Sequence, residues 1–183
     1  MIVDIGAADK PYYQIFKRYI KNYIGVDIDT TENPEVVASA DNLPFDAQSF
    51  DVALCFQVLE HIENPQKVLA EIKRILKPQG YLILTTHGIW NYHPFPKDLW
   101  RFTQEGLTNL FSKFSDVEVK PNLKSTPSIL QLINIELYRI SCQNFILKIP
   151  FYALITTLNL IGSFLINSGD DSLAVNYIAL AKT

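Results

Sequence analysis

An α/β domain built on a parallel sheet is the fold class that this chain predicts, and three observations predict it. Seven short runs, apolar or alternating, punctuate the sequence, at residues 1–5, 23–28, 36–38, 50–56, 81–86, 116–120 and 174–181, several of them near-continuous, as in strands buried on both faces. Apolar residues at helical spacing lie between several of these runs. Two runs end in acids, Val3-Asp4 and Val26-Asp27, at the strand ends where a parallel sheet binds its ligand.

With 183 residues, 48% of them hydrophobic and 12% aromatic, the chain reads as one domain, 1–183, with a full core. A formal net charge of -3 gives no bulk electrostatic footprint for nucleic acid. Cys55 and Cys142 are too few and too far apart for a disulfide framework or a zinc site, which suits a reducing compartment. The first residues read as a buried strand and not as a signal segment, so the cytoplasm is the expected location.

The elements follow in order. After the strand 1–5, Pro11 sits where a first helical turn tolerates it, and Tyr12, Ile15, Phe16, Tyr19 and Ile20 continue at helical spacing. Pro65 opens a second helix whose stripe is Val68, Leu69, Ile72, Ile75 and Leu76, with Pro78-Gln79-Gly80 as its stop. Residues 106–114 have a third helical pattern, and the strands 116–120 and 174–181 complete a sheet edge. Between them, 121–170 is expected to be a helical insertion or cap. Its stretch from Phe145 to Ile166 approaches the roughly 20-residue length of a membrane span, but Lys148, Pro150, Asn159 and Gly162 interrupt it. A single crossing would also strand 174–181 away from its sheet. Residues 129–166 are therefore read as a helical pair that caps the domain or buries itself against a second subunit, with contact to a membrane surface as the alternative.

Gly6, two positions after Asp4, lets the backbone approach a ligand as it turns towards the helix. Ala8 and Lys10 stand where a dinucleotide fingerprint would want further glycines, and Asp9 near a helix start would repel a pyrophosphate, unless it serves as an N-cap. A ligand without phosphate and with a cationic end suits Asp4 and Asp9 better. Asp27 follows Gly6 by 21 positions, near the spacing of about 20 at which an acid reaches ribose hydroxyls, with Asp29 as the fallback. The polar loop Asp41-Asn42-Leu43-Pro44-Phe45, ahead of the fourth strand, is placed to hold an adenine edge.

The ordered series Val3-Asp4-Ile5-Gly6, Gly25-Val26-Asp27, Leu43-Pro44-Phe45, Ser49-Phe50-Asp51-Val52, Val58-Leu59-Glu60-His61 and Leu76-Lys77-Pro78-Gln79-Gly80 resembles the class I S-adenosylmethionine-dependent methyltransferases of the methyltransferase type 11 kind, over roughly residues 1–114. The run His93-Pro94-Phe95-Pro96-Lys97-Asp98-Leu99-Trp100-Arg101-Phe102-Thr103 resembles a subgroup met among bacterial glycan and small-molecule methyltransferases. The resemblance implies a Rossmann-like, mostly parallel seven-stranded sheet with helices on both faces and the helical insertion before the last strand. It also implies S-adenosylmethionine as cofactor, with Asp4 and Gly6 beside the methionine portion, Asp27 on the ribose and Ile28 on the adenine. Ser39 and Ala40 fall at the adenine edge, where Ser39 replaces the usual acid and Asp41 is the substitute, while Phe56 and Gln57 fall beside the methionine end. Ala8 and Lys10 replace glycines of the family's loop. The helix that usually precedes the first strand does not precede it here, which implies a truncated start or an open pocket.

For the chemistry, the only histidines are His61, His87 and His93. A neutral imidazole suits the acceptance of a proton near neutral pH. His93, in the aromatic loop after the fifth strand, is the first candidate base and His61 the second. Asp98, with Arg101, either orients His93, clamps an acidic substrate or simply fixes the loop. Trp90, Tyr92, Phe95 and Trp100 offer flat surface to a sugar or aromatic ring, or form a local core. Glu60 and His61 have no second pair to complete a metal site, and neither a nucleophile elbow nor a P-loop is present. The expected function is methyl transfer to a small-molecule or glycan-type acceptor. Its rivals are a catalytically degenerate S-adenosylmethionine-binding or scaffold protein and a nicotinamide-dependent oxidoreductase.

Overall fold

The computed structural model describes residues 1–143 and 148–183. Chain order is β1 (Ile2–Ile5), α1 (Tyr13–Phe16), β2 (Tyr23–Asp27), β3 (Val36–Val37), β4 (Phe50–Phe56), a 3-10 turn (Leu59–His61), α2 (Pro65–Ile75), β5 (Leu76–His87), α3 (Gln104–Leu110), β6 (Ser115–Pro121), α4 (Ser125–Gln143), α5 (Lys148–Phe164) and β7 (Asn176–Lys182). The seven strands form one sheet in the order β3-β2-β1-β4-β5-β7-β6. β1 to β5 pair in parallel, and β7 runs antiparallel to both β5 and β6. The strand order departs in opposite directions from β1 and β4, which makes their carboxyl ends the switch point where open α/β sheets bind ligands.

Register decides which face is core. Val3 pairs with Ala53, Ala53 with Leu82 and Leu82 with Ala181, so these four share one face, along with Ile5, Cys55, Leu84 and Ala179. That face is sealed by the α2 stripe Val68, Leu69, Ile72 and Ile75 and by Leu107 and Phe111 at α3, all buried in the same cluster. Each such side chain contributes about 1.5–3 kcal/mol by leaving water. The Asn64 side chain caps α2 by accepting from the Lys67 N–H at 3.1 Å, and Pro65 follows at the first helical position.

The opposite face is covered only in part, with Tyr81, Ile178 and Leu180 exposed on it. The cause is local. The turn bonds from Lys10 N–H to the Ala7 carbonyl and from Tyr13 N–H to the Lys10 carbonyl use up the residues that would start a longer helix, so the 11–20 pattern shrinks to the single-turn α1, which has no buried residue. The connections 28–35 and 38–49 carry no helix either. Pro78-Gln79-Gly80 does not stop α2 from outside β5 but lies within it. Gln79 has φ 66°, and the β4–β5 register shifts between Phe50 and Val52, so the helix runs directly into a bulged strand. The insertion is a helical pair, α4 packed on α5, and among the described residues no helix is long and apolar enough to cross a membrane. Phe145, where the span-length stretch begins, lies outside the described residues.

Candidate cofactor and acceptor site

β1 and β2 end side by side, and the chain leaves β1 through Gly6 at φ +72°. A Cβ there would stand 2.3 Å from Val58 Cγ2, so both conformation and space require glycine. The N–H groups of Gly6 and Ala7 both donate to the Val26 carbonyl, at 2.8 and 3.1 Å, and pin the loop over the end of β2. Ala8 and Lys10 also hold positive φ, 42° and 57°, so the loop keeps a glycine-type path with side chains on it. The Ala8 N–H donates to Asp27 Oδ2 at 2.9 Å and the Asp29 N–H to Asp27 Oδ1 at 3.0 Å. The carboxylate is thereby fixed while each oxygen keeps acceptor capacity.

Gly6 and Asp27 line one cavity of about 970 Å³ that also takes in Ile28, Ser39, Ala40, Asp41, Phe56 and Gln57. The exposed Ile28 gives it an apolar rim. The Ser39 hydroxyl donates to Asp41 Oδ1 at 2.6 Å and Lys67 Nζ meets Oδ2 at 3.1 Å, and these two contacts, the hydroxyl first, hold the Asp41 carboxyl below its usual range. Tyr12 stands edge-on to Phe56 at 4.5 Å between ring centroids. Gln57, at φ 56°, donates from Nε2 to Thr85 Oγ1 at 3.0 Å, and its buried Oε1 has no protein partner among the described residues.

Two expected site residues lie outside the lining. Asp4 alternates to the sheet face opposite Val3 and Ile5, is 1% exposed and receives the Tyr23 hydroxyl, and burial raises its carboxyl to about 6. Asp98 grips Arg101, with Nη2 to Oδ2 at 2.7 Å, and Arg101 also donates to the carbonyls of Trp90, Asn91 and Trp100. The guanidinium holds Asp98 well below the usual carboxylate range. Asp98 therefore clamps the loop, and it reaches His93 only by accepting its backbone N–H at 2.8 Å.

At the other end of the cavity the fold gathers all three histidines with Trp90, Phe95 and Lys97. Ring centroids of His61 and His93 are 5.6 Å apart and those of His87 and His93 6.3 Å. Their hydrogen bonds separate their roles. His61 Nδ1 contacts the Lys97 carbonyl, which can only accept, so Nδ1 carries the proton and the neutral ring keeps a lone pair on Nε2. His93 is exposed. His87 is buried, stacked on Trp90 at 4.9 Å, with Nδ1 2.7 Å from Asn176 Oδ1 and Nε2 3.3 Å from Glu60 Oε1, an oxygen that has no hydrogen-bond partner among the described residues. Burial lowers its pKa, against the opposing pull of Asn176 and Glu60.

Glu60, weighed from the sequence only as a metal ligand, is 0% exposed and accepts the Thr86 hydroxyl at 2.8 Å. The available signal was an acid directly after the apolar Val58-Leu59, since a buried acid needs a partner. Among the described residues no group of three or more His, Cys, Asp or Glu could hold a metal ion.

Strand order, switch point and cavity define a Rossmann-like fold with an open cleft at its switch point. Residues 3–84 match the model of the methyltransferase domain family. The uncharacterized methyltransferase YcgJ of Bacillus subtilis is 31% identical over 102 residues, 47% of this chain and 40% of that protein. A solved SAM-dependent methyltransferase of Thermotoga maritima, described as a possible histamine N-methyltransferase, superposes with a TM-score of 0.62 at 21% identity, over 99% of this chain and 81% of that one. A phosphoethanolamine N-methyltransferase of Haemonchus contortus, solved with phosphomonomethylethanolamine and S-adenosylhomocysteine, gives 0.63 at 19% identity, over 100% and 48%. The chain spans less than half the length of the first curated relatives it matches. Over residues 3–84, under half of its length, the chain is thus similar to the methyltransferase domain, and the solved S-adenosylmethionine-dependent methyltransferases share its fold.

S-adenosylmethionine, the cofactor of these enzymes, fits the residues present. Asp27 is fixed with acceptor capacity to spare for ribose hydroxyls, and the unpartnered Gln57 Oε1 is an acceptor for a cationic amino group.

Proposed function

We propose that the chain binds S-adenosylmethionine and transfers its methyl group to a hydroxyl or amine of a small-molecule or glycan-type acceptor. Gly6, Asp27, Ile28, Ser39, Ala40, Asp41, Phe56 and Gln57 would hold the cofactor. When bound, it supplies an activated sulfonium methyl, so orientation does most of the catalysis. His61 accepts the acceptor's proton at Nε2, with the Lys97 carbonyl fixing its tautomer, and this places it ahead of His93, which is exposed. Trp90 and Phe95 offer flat apolar surface to the acceptor, and Arg101 with Asp98 keeps their loop in shape.

The single observation behind this reading is that one cavity joins the Gly6–Asp27 corner to the three histidines. A titration with S-adenosylhomocysteine tests the cofactor claim, and release of S-adenosylhomocysteine across a panel of hydroxyl and amine acceptors tests transfer. A degenerate, cofactor-binding scaffold is the second reading, favoured by Ala8, Lys10 and Ser39 at positions the family fills otherwise. Binding without turnover over the whole panel is its signature.

A further inference from the structure

We propose that the α4–α5 pair docks the protein on an anionic lipid surface. α5 has no buried residue, although Ile149, Leu154, Leu160 and Phe164 lie along it, with Ile149 and Phe164 83% and 87% exposed. At about 200 Å² per large side chain, the exposed apolar residues of the pair present on the order of 1,000 Å², beyond the few hundred that a soluble monomer ordinarily shows.

Two features select lipid as the occupant. The hydroxyls of the second half of α5 are satisfied within the helix, while on the facing α4 the buried Gln131 Oε1 and Asn134 Oδ1 have no partner among the described residues. Thr156, Thr157 and Ser163 donate to the carbonyls of Tyr152, Ala153 and Leu160, and Asn159 Oδ1 accepts from Asn134 of α4 at 2.7 Å. Internal satisfaction of this kind is what a helix needs where water does not reach it. The second feature is charge. The pair and its connections, residues 125–169, carry Glu136, Arg139 and Lys148, a charge of +1 that leaves the remainder at -4 within a chain of -3, and because Arg139 pairs with Glu136 at 2.8 Å, Lys148 is the cation of the pair outside an ion pair among the described residues. A cationic apolar pair on an acidic body suits anionic head groups, to which each Lys or Arg near the surface adds about 1 kcal/mol. The pair is rooted beside the acceptor loop, because Asn91 Nδ2 donates to Glu136 of α4 at 2.8 Å. Docking would therefore bring the acceptor end of the cavity close to the lipid.

The test is flotation of the full chain with vesicles of phosphatidylcholine alone and with about one-third phosphatidylglycerol. The expected result is recovery with the anionic vesicles, reduced several-fold without phosphatidylglycerol or in 0.5 M salt, and reduced at least tenfold by the double substitution Ile149→Asn, Phe164→Ser. Lys148→Glu should lower binding to the anionic vesicles alone. Far-UV circular dichroism and light scattering of each variant separate loss of docking from loss of fold or assembly. Failure to float with either vesicle overturns the proposal, and so does a wild-type dimer that the double substitution converts to monomer without any vesicle binding. Neither outcome depends on whether methyl transfer is observed.

Discussion

Replacing Ala8 with glycine should stabilise the fold while leaving the cavity intact. Ala8 sits at φ 42° between the Gly6 turn and Asp27, and its N–H, which a glycine keeps, makes the 2.9 Å bond to the Asp27 carboxylate. An L-residue in the left-handed region costs about 1–2 kcal/mol. Glycine removes that cost but gains freedom in the unfolded chain, which gives back about 0.5–1 kcal/mol. The net expectation is a gain of about 0.5–1 kcal/mol. At about 2–4 °C per kcal/mol for a domain of this size, the melting temperature should rise by about 1–4 °C. Thermal unfolding followed by circular dichroism reads this directly. Lys10→Gly is the contrast: it relieves the same kind of strain at φ 57° but deletes the ion pair with Glu35, so its gain should be smaller. A fall of more than 1 °C for Ala8→Gly would refute the reasoning, because it would mean that the backbone at residue 8 is not left-handed in the folded protein.

Other outcomes follow from the same geometry. Asp4 is raised from 3.8 to about 6, so the folded state holds its proton longer than the unfolded chain, and stability falls as pH rises from about 4 to 6. Asp4→Asn should therefore be nearly neutral at pH 4 and stabilising by up to about 3 kcal/mol at pH 7.5, measured by denaturant titration at the two pH values, with affinity for S-adenosylhomocysteine unchanged. His61→Ala should lower kcat by about 10²–10⁴ while that affinity stays within twofold, and an unchanged kcat would remove His61 as base. Glu60→Ala would leave the buried Thr86 hydroxyl without its acceptor and should cost about 1–3 kcal/mol, seen as a lower melting temperature.

Much of the fold was legible because the strands are nearly continuous apolar runs, and the order of strand and helix patterns leaves few topologies open. That Gly6 and Asp27 meet at one corner was legible for a similar reason, since a glycine at one strand tip and an acid at the next have a fixed spacing in a βαβ unit. Coverage of the second sheet face was not legible. Helical spacing at 11–20 says nothing about the positive-φ turn at Ala8 and Lys10 that delays the helix until Tyr13. Asp4 misled because the sequence shows a strand-end acid without showing which face it points to. The Glu60–His87 contact depends on how a 3-10 turn meets the end of β5, a tertiary arrangement that no local spacing encodes. Asp98 and Arg101 lie three apart in sequence, and only the structure shows that the guanidinium also gathers three carbonyls and so belongs to the loop's own support.

The most direct measurement is isothermal titration of S-adenosylhomocysteine into the wild-type chain and into Asp27→Ala. The cavity geometry predicts saturable one-to-one binding by the wild type. Losing the carboxylate's charge-assisted bonds should weaken it by about 2–4 kcal/mol, roughly 30- to 1,000-fold. Absence of wild-type binding, or equal affinity of the two proteins, would contradict the placement of the cofactor between Gly6 and Asp27.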